Sequence, residues 1–194
     1  MSGFLIVKYL LTLFVAILIP VYWKNYGVKN FLWLSDIGLF LTLLAVWFHS
    51  ALLISIAMIL VFPLEIIWNI DFFFNLITKR KLLNIVDYMF DPKYSLFLRS
   101  LSLFHTFLPI FWIWSLFAWG YDKNALGYGI IIVWIVLSLS YFFTDPKENI
   151  NWVFLPMAYH WRKIPAFLWF IFLLIGFPLF ILAPMHFILQ YLFK

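Results

Sequence analysis

Asp36, Glu65, Arg99 and His105 are the residues of this chain best suited to chemistry: two carboxylates, a guanidinium and an imidazole, each set within a long apolar stretch. A charged group at the centre of a membrane-spanning helix costs about 2.5–3.5 kcal/mol on insertion scales, so it is usually paired and marks function by default. Carboxylate plus imidazole is an acid–base couple, and arginine is a fork for phosphate or carboxylate. The sequence therefore nominates Asp36, Glu65 and His105 as catalytic candidates. Arg99, Asn69, Ser102, Asn151 and Trp152 are the ligand-binding candidates.

The elements that must position them are transmembrane helices. The chain is 66% apolar and 11% charged, with a mean hydropathy of +1.04, which is membrane composition rather than that of a soluble domain. A span needs about 20 apolar residues. Six segments meet that length approximately: Phe4–Trp23, Phe31–Phe48, Ala51–Ile70, Ser95–Trp119, Leu126–Phe143 and Ala166–Phe193. His49 and Ser50 alone separate the second from the third, which predicts a tight hairpin. The sixth is over-long and holds Gly176, Pro178 and Pro184, so it should kink or tilt. Between the third and fourth spans, Leu82, Leu83, Val86, Met89 and Phe90 recur at helical spacing, predicting an amphipathic interfacial helix stopped by Pro92. No repeat or domain boundary is visible. The expectation is one all-α membrane domain over residues 1–194: a bundle of about six helices plus that interfacial helix.

Loop charge sets the orientation. Lys24, Lys29, Lys79, Arg80, Lys81, Lys93, Arg99, Lys147, Arg162 and Lys163 fall on one side, and Lys8, Lys123 and Lys194 on the other. The positive-inside rule then places both termini outside, in a bacterial inner membrane on the periplasmic side. The first apolar stretch contains Lys8 and lacks a small-residue cleavage site, so it reads as a span rather than a cleaved signal. The net charge of +5 fits basic loops on anionic lipids and implies no nucleic-acid partner.

At 1.5 Å per residue, Asp36 and Glu65 lie about 8 Å, Arg99 about 6 Å and His105 about 15 Å in from the basic side. Glu65 and Asn69 share a face, as do Arg99, Ser102 and Thr106 on a continuous helix. Pro109 frees the carbonyl of His105 and Pro63 bends the helix before Glu65, which calls for protein or water to satisfy the freed groups.

Other chemistries fit less well. There is no cysteine, which removes thiolate and disulfide chemistry. A three-histidine zinc site is disfavoured because His49 and His186 fall on one side and His105 and His160 on the other, so no metal is assigned. Ser102, His105 and Asp36 could form a nucleophilic set, but no nucleophile elbow surrounds Ser102. No Walker motif, phosphate loop or mid-span lysine is present, and the cofactor is unknown.

The strings Asn30-Phe-Leu-Trp-Leu-Ser-Asp36-Ile, Asp87-Tyr-Met-Phe-Asp91, Ser102-Leu-Phe-His105 and Asn149-Ile-Asn-Trp152-Val resemble those of an uncharacterised bacterial family of membrane-associated proteins. The resemblance spans about residues 30–154. It implies a multi-pass inner-membrane protein and assigns no activity.

From the residues, the leading expectation is a polar pocket near the cytoplasmic leaflet that binds, and where chemistry occurs modifies, a lipid or other amphipathic molecule. The alternatives are a structural subunit or assembly factor, whose buried charges pair internally (Arg99 with Asp36 or Glu65) or with a partner helix, and a small dimeric transporter. Membrane lipids, a membrane-protein partner and a second copy are the partners these readings imply.

Overall fold

A computed structural model describes residues 2–156 and 163–193. His160, Arg162 and Lys194 lie outside the described residues. Nine α-helices follow in order among the described residues: α1 (Ser2–Tyr26), α2 (Leu34–Phe48), α3 (Ala51–Thr78), α4 (Asp87–Phe90), α5 (Leu96–Leu101), α6 (Phe104–Trp119), α7 (Ala125–Phe143), α8 (Ala166–Phe177) and α9 (Ala183–Leu192). Short 3₁₀ turns occupy Val28–Leu32 and Ile150–Trp152, and a π turn, Pro178–Leu182, joins α8 to α9. The architecture is all-α, as expected.

Among the described residues, five helical stretches are long and apolar enough to cross a membrane: Gly3–Tyr26, Ala51–Thr78, Leu96–Trp119, Ala125–Phe143 and Ala166–Leu192. That defines the class as a multi-pass integral membrane protein. The second expected span is shorter than read: α2 has 15 residues. At 1.5 Å each that is about 22 Å, less than the ~30 Å hydrocarbon core.

α2 therefore starts inside the structure, where its free amides need partners. Asn151 supplies a partner for the first of them. Its Oδ1 accepts from Leu34 N at 2.9 Å, and its Nδ2 donates to Leu32 O at 2.7 Å and Ser140 Oγ at 2.9 Å. Asn151 holds φ +53, a left-handed conformation that asparagine tolerates better than most residues. Asn151→Ala should cost about 2–3 kcal/mol, from lost buried hydrogen bonds and backbone strain; chemical unfolding in detergent measures it. Asn151→Gly should recover only the strain.

α3 is the most buried of the long helices and α1 the least, and α3 packs on α2, α6 and α7. The α2–α3 hairpin turns at His49 in a left-handed cap, and Ser50 Oγ accepts from Leu53 N. The two helices are in close contact at Gly38, where a Cβ would sit 2.9 Å from Val61 Cγ2. Trp112 of α6 joins them there, its Nε1 donating to Thr42 Oγ1 at 2.7 Å.

Two further expectations change. The fourth span is not one helix: it breaks at Ser102–Leu103, between α5 and α6. The interfacial helix shrinks to the single turn α4, because α3 runs on to Thr78 and Asp71 draws the following chain back. Asp71 is fully buried, and its carboxylate accepts from Leu83, Ile85 and Val86 amides at 2.9, 2.9 and 3.2 Å. Those bonds outcompete the helical pattern of the segment.

The over-long last span contains a π turn at Pro178–Leu182. Pro178 has no amide for the carbonyl of Leu174, and Trp134 Nε1 donates to that oxygen at 2.7 Å instead.

Candidate functional site

Glu65 and His105 meet between α3 and α6. His105 Nδ1 lies 2.6 Å from Glu65 Oε2, with side-chain exposures of 12% and 1%. The imidazole is sandwiched: Trp68 stacks on it at 4.6 Å and Phe104 at 4.2 Å between ring centroids. Such packing fixes the ring plane, so the nitrogen stays aimed at the carboxylate. Glu65 Oε1 is buried without a hydrogen-bond partner.

Asn69, one turn beyond Glu65, ties the two helices together. Its Nδ2 donates to Glu65 O and to His105 O, both at 2.8 Å, and its Oδ1 accepts from Thr106 Oγ1 at 2.7 Å. The carbonyl of His105 is the one that Pro109 leaves without an amide, so the interhelical bond stands in for the missing helical one.

Asp36 sits near the start of α2, 2% exposed. Asn30 Nδ2 donates to its Oδ2 at 3.3 Å, and its Oδ1 has no partner. Of the three catalytic candidates, Glu65 and His105 are joined directly, while the hydrogen bond to Asp36 comes from Asn30.

The ligand candidates scatter. The break at Ser102–Leu103 turns Arg99, Ser102 and Thr106, expected on one face, to three different partners. Arg99 Nη1 donates to Met89 O at 2.7 Å and makes no ion pair with either carboxylate; among the described residues the ion pairs are Lys81–Asp87 and His105–Glu65. The expected Arg99–carboxylate pair is thus replaced by the histidine. Ser102 Oγ bonds the Tyr22 hydroxyl at 2.9 Å rather than His105, so the Ser102–His105–Asp36 nucleophilic set is not assembled. Asn151 is committed to the start of α2. Trp152 gives its carbonyl to Trp169 Nε1 at 2.7 Å and its ring edge to Trp33, away from the centre. Among the described residues no group of three or more histidine, aspartate or glutamate side chains could hold a metal.

Sequence reading missed the residues that roof the centre. Tyr88 of α4 accepts from Trp68 Nε1 at 3.2 Å. Burial pushes its hydroxyl well above the ordinary tyrosine range, so it stays a neutral donor. Trp68 was findable, one turn from Glu65 on the same face, and Tyr88 lies inside the Asp87–Asp91 string. Nothing in the pattern of α1 singles out Tyr22.

At the opposite end, two shallow hollows flank Lys123 and Asn124, near a Tyr121–His186 hydrogen bond of 2.7 Å. Between that end and Glu65, residues Ile56 to Val61 of α3 are all buried and apolar, which gives a transporter reading no polar path along this helix.

Comparison with protein-family models, curated proteins and solved structures finds no match to this chain.

Proposed function

We propose that this membrane protein binds an amphipathic molecule, a membrane lipid included, whose polar head reaches the Glu65–His105 centre. The carrying observation is a polar seam in an apolar outer surface. Asn69, His105 and Thr106 are all partly exposed between Ile66 and Ile70 of α3 and Phe107 and Ile110 of α6, which are exposed. A lipid-facing surface has little reason to spend an imidazole and an amide there unless something polar arrives laterally. An aromatic run, His105–Trp68–Phe72–Phe90, leads from the seam toward α4 and offers a bed for an apolar tail.

With Arg99 held on Met89, what waits at the centre is acceptor oxygen, so the favoured head carries hydroxyl or ammonium donors rather than phosphate alone. The Glu65–His105 couple is placed to exchange a proton with that head. Under the positive-inside rule the seam faces the cytoplasmic leaflet of a bacterial inner membrane, with both termini outside.

A structural reading has one observation in its favour: the same four residues, Glu65, Asn69, His105 and Thr106, cross-link α3 to α6. Native mass spectrometry separates the two. Glu65→Gln, Asp36→Asn and His105→Asn keep size and a hydrogen-bonding group. Ligand binding predicts that Glu65→Gln and His105→Asn lower bound-lipid occupancy by roughly tenfold, the size of one charge-assisted hydrogen bond. Unchanged occupancy in all three variants would leave the structural reading.

A further inference from the structure

At the end of the bundle away from Glu65, the start of α7 leaves backbone donors unused. The first amides of any helix lack intrahelical acceptors. Asp122 serves two of those here: its Oδ1 accepts from Asn124 N at 2.9 Å and its carbonyl from Ala125 N at 3.1 Å. The amides of Leu126 and Gly127 have no acceptor among the described residues, and the Asn124 side chain makes no cap. Leu126 and Gly127 both line one of the two hollows at this end, a depression of about 460 Å³. Gly127 keeps it open, because a Cβ there would meet nothing within 4 Å.

A buried side chain indicates what the hollow takes. His186 of α9 is 7% exposed and lines the same hollow. The Tyr121 hydroxyl lies 2.7 Å from its Nδ1 and has no other acceptor among the described residues. The hydroxyl therefore donates, and the ring proton sits on Nε2. Nε2 itself has no partner among the described residues. Lys123 stands exposed at the rim, outside the ion pairs of the described residues. No carboxylate lines this hollow; Asp122 borders the neighbouring one. A cation, an imidazole N–H and two amides at the positive end of a 19-residue helix suit an anion with several oxygens. Ile131, one turn beyond Gly127, lines the hollow and is 52% exposed. It carries the hollow onto the apolar outer surface, so the anion that fits is one attached to an acyl chain.

We propose that this hollow binds the phosphate of a phospholipid in the leaflet opposite the Glu65–His105 centre. Lys123, His186 Nε2 and the amides of Leu126 and Gly127 are its donors, and an acyl chain lies along Ile131. The site is separate from the Glu65–His105 seam and of opposite chemistry, since it offers donors where the seam offers acceptors. Either can fail alone.

Native mass spectrometry of the full chain in detergent, with added phosphatidylglycerol or with diacylglycerol of the same acyl chains, tests it. Wild type should hold phosphatidylglycerol about tenfold better, the size of one charge-assisted hydrogen bond. Lys123→Gln, His186→Phe and Gly127→Leu should each lower phosphatidylglycerol occupancy severalfold, in wild type and in a Glu65→Gln background alike. Lys24→Gln, an equal charge change at the other end, should leave it unchanged. Gly127→Leu alters no charge and places its side chain in open space, so it decides the matter even if His186→Phe does not fold. Equal retention of the two lipids, the same loss in Lys24→Gln, or unchanged occupancy in Lys123→Gln and Gly127→Leu overturns the proposal. Displacement of the lipid by inorganic phosphate would also overturn it, by assigning the hollow to free phosphate.

Discussion

His105→Ala is expected to destabilise the protein by about 3–5 kcal/mol, the cost of stripping a buried carboxylate of its ionic partner. Glu65 stays 1% exposed in the membrane interior, and no other described ion-pair partner stands by it. The stacked space between Trp68 and Phe104 is lost as well. Glu65→Gln added to His105→Ala should recover most of the loss, because a neutral amide needs no counter-ion. Detergent unfolding of wild type, both single variants and the double variant measures the coupling. A double variant no more stable than His105→Ala alone would show that the lost packing, rather than the bare charge, sets the cost.

Asn69→Leu ranks next. It removes bonds to two backbone carbonyls and one hydroxyl at once. Most of the effect should come from His105 O, which has no helical amide because of Pro109; one buried unsatisfied acceptor costs about 1–3 kcal/mol. Pro109→Ala restores an amide four residues on, so Asn69→Leu should be milder in a Pro109→Ala background. The same unfolding cycle checks this. Equal losses in both backgrounds would mean that the His105 carbonyl is not what Asn69 supports.

These two cases show what was readable beforehand. The acid–base centre was visible because charge in an apolar span is conspicuous, and its depth follows from helical rise alone. The need for a partner at His105 O was visible because proline chemistry is local. Its actual partner, Asn69, was marked as a ligand-binding candidate on the same face as Glu65, and not as the partner of that carbonyl. The fate of Arg99 was not readable: it depends on the break at Ser102–Leu103, which no glycine or proline announces. The same break took Ser102 to Tyr22. Asp71 falls just past the expected third span, Ala51–Ile70, but α3 runs on through it, and its three amide bonds account for the loss of the interfacial helix. Asn151 was singled out for a ligand but serves the buried start of α2, a demand that appears only once α2 proves short. Periodicity finds helices, while helix ends, breaks and caps depend on tertiary partners.

The measurement closest to the central claim is a high-resolution map of the full chain in native-lipid nanodiscs. A polar head group should occupy the seam between Asn69 and Thr106, within hydrogen-bonding distance of Glu65 Oε1 or His105. A seam filled only by acyl chains, with the Glu65–His105 pair closed behind it, would contradict the account.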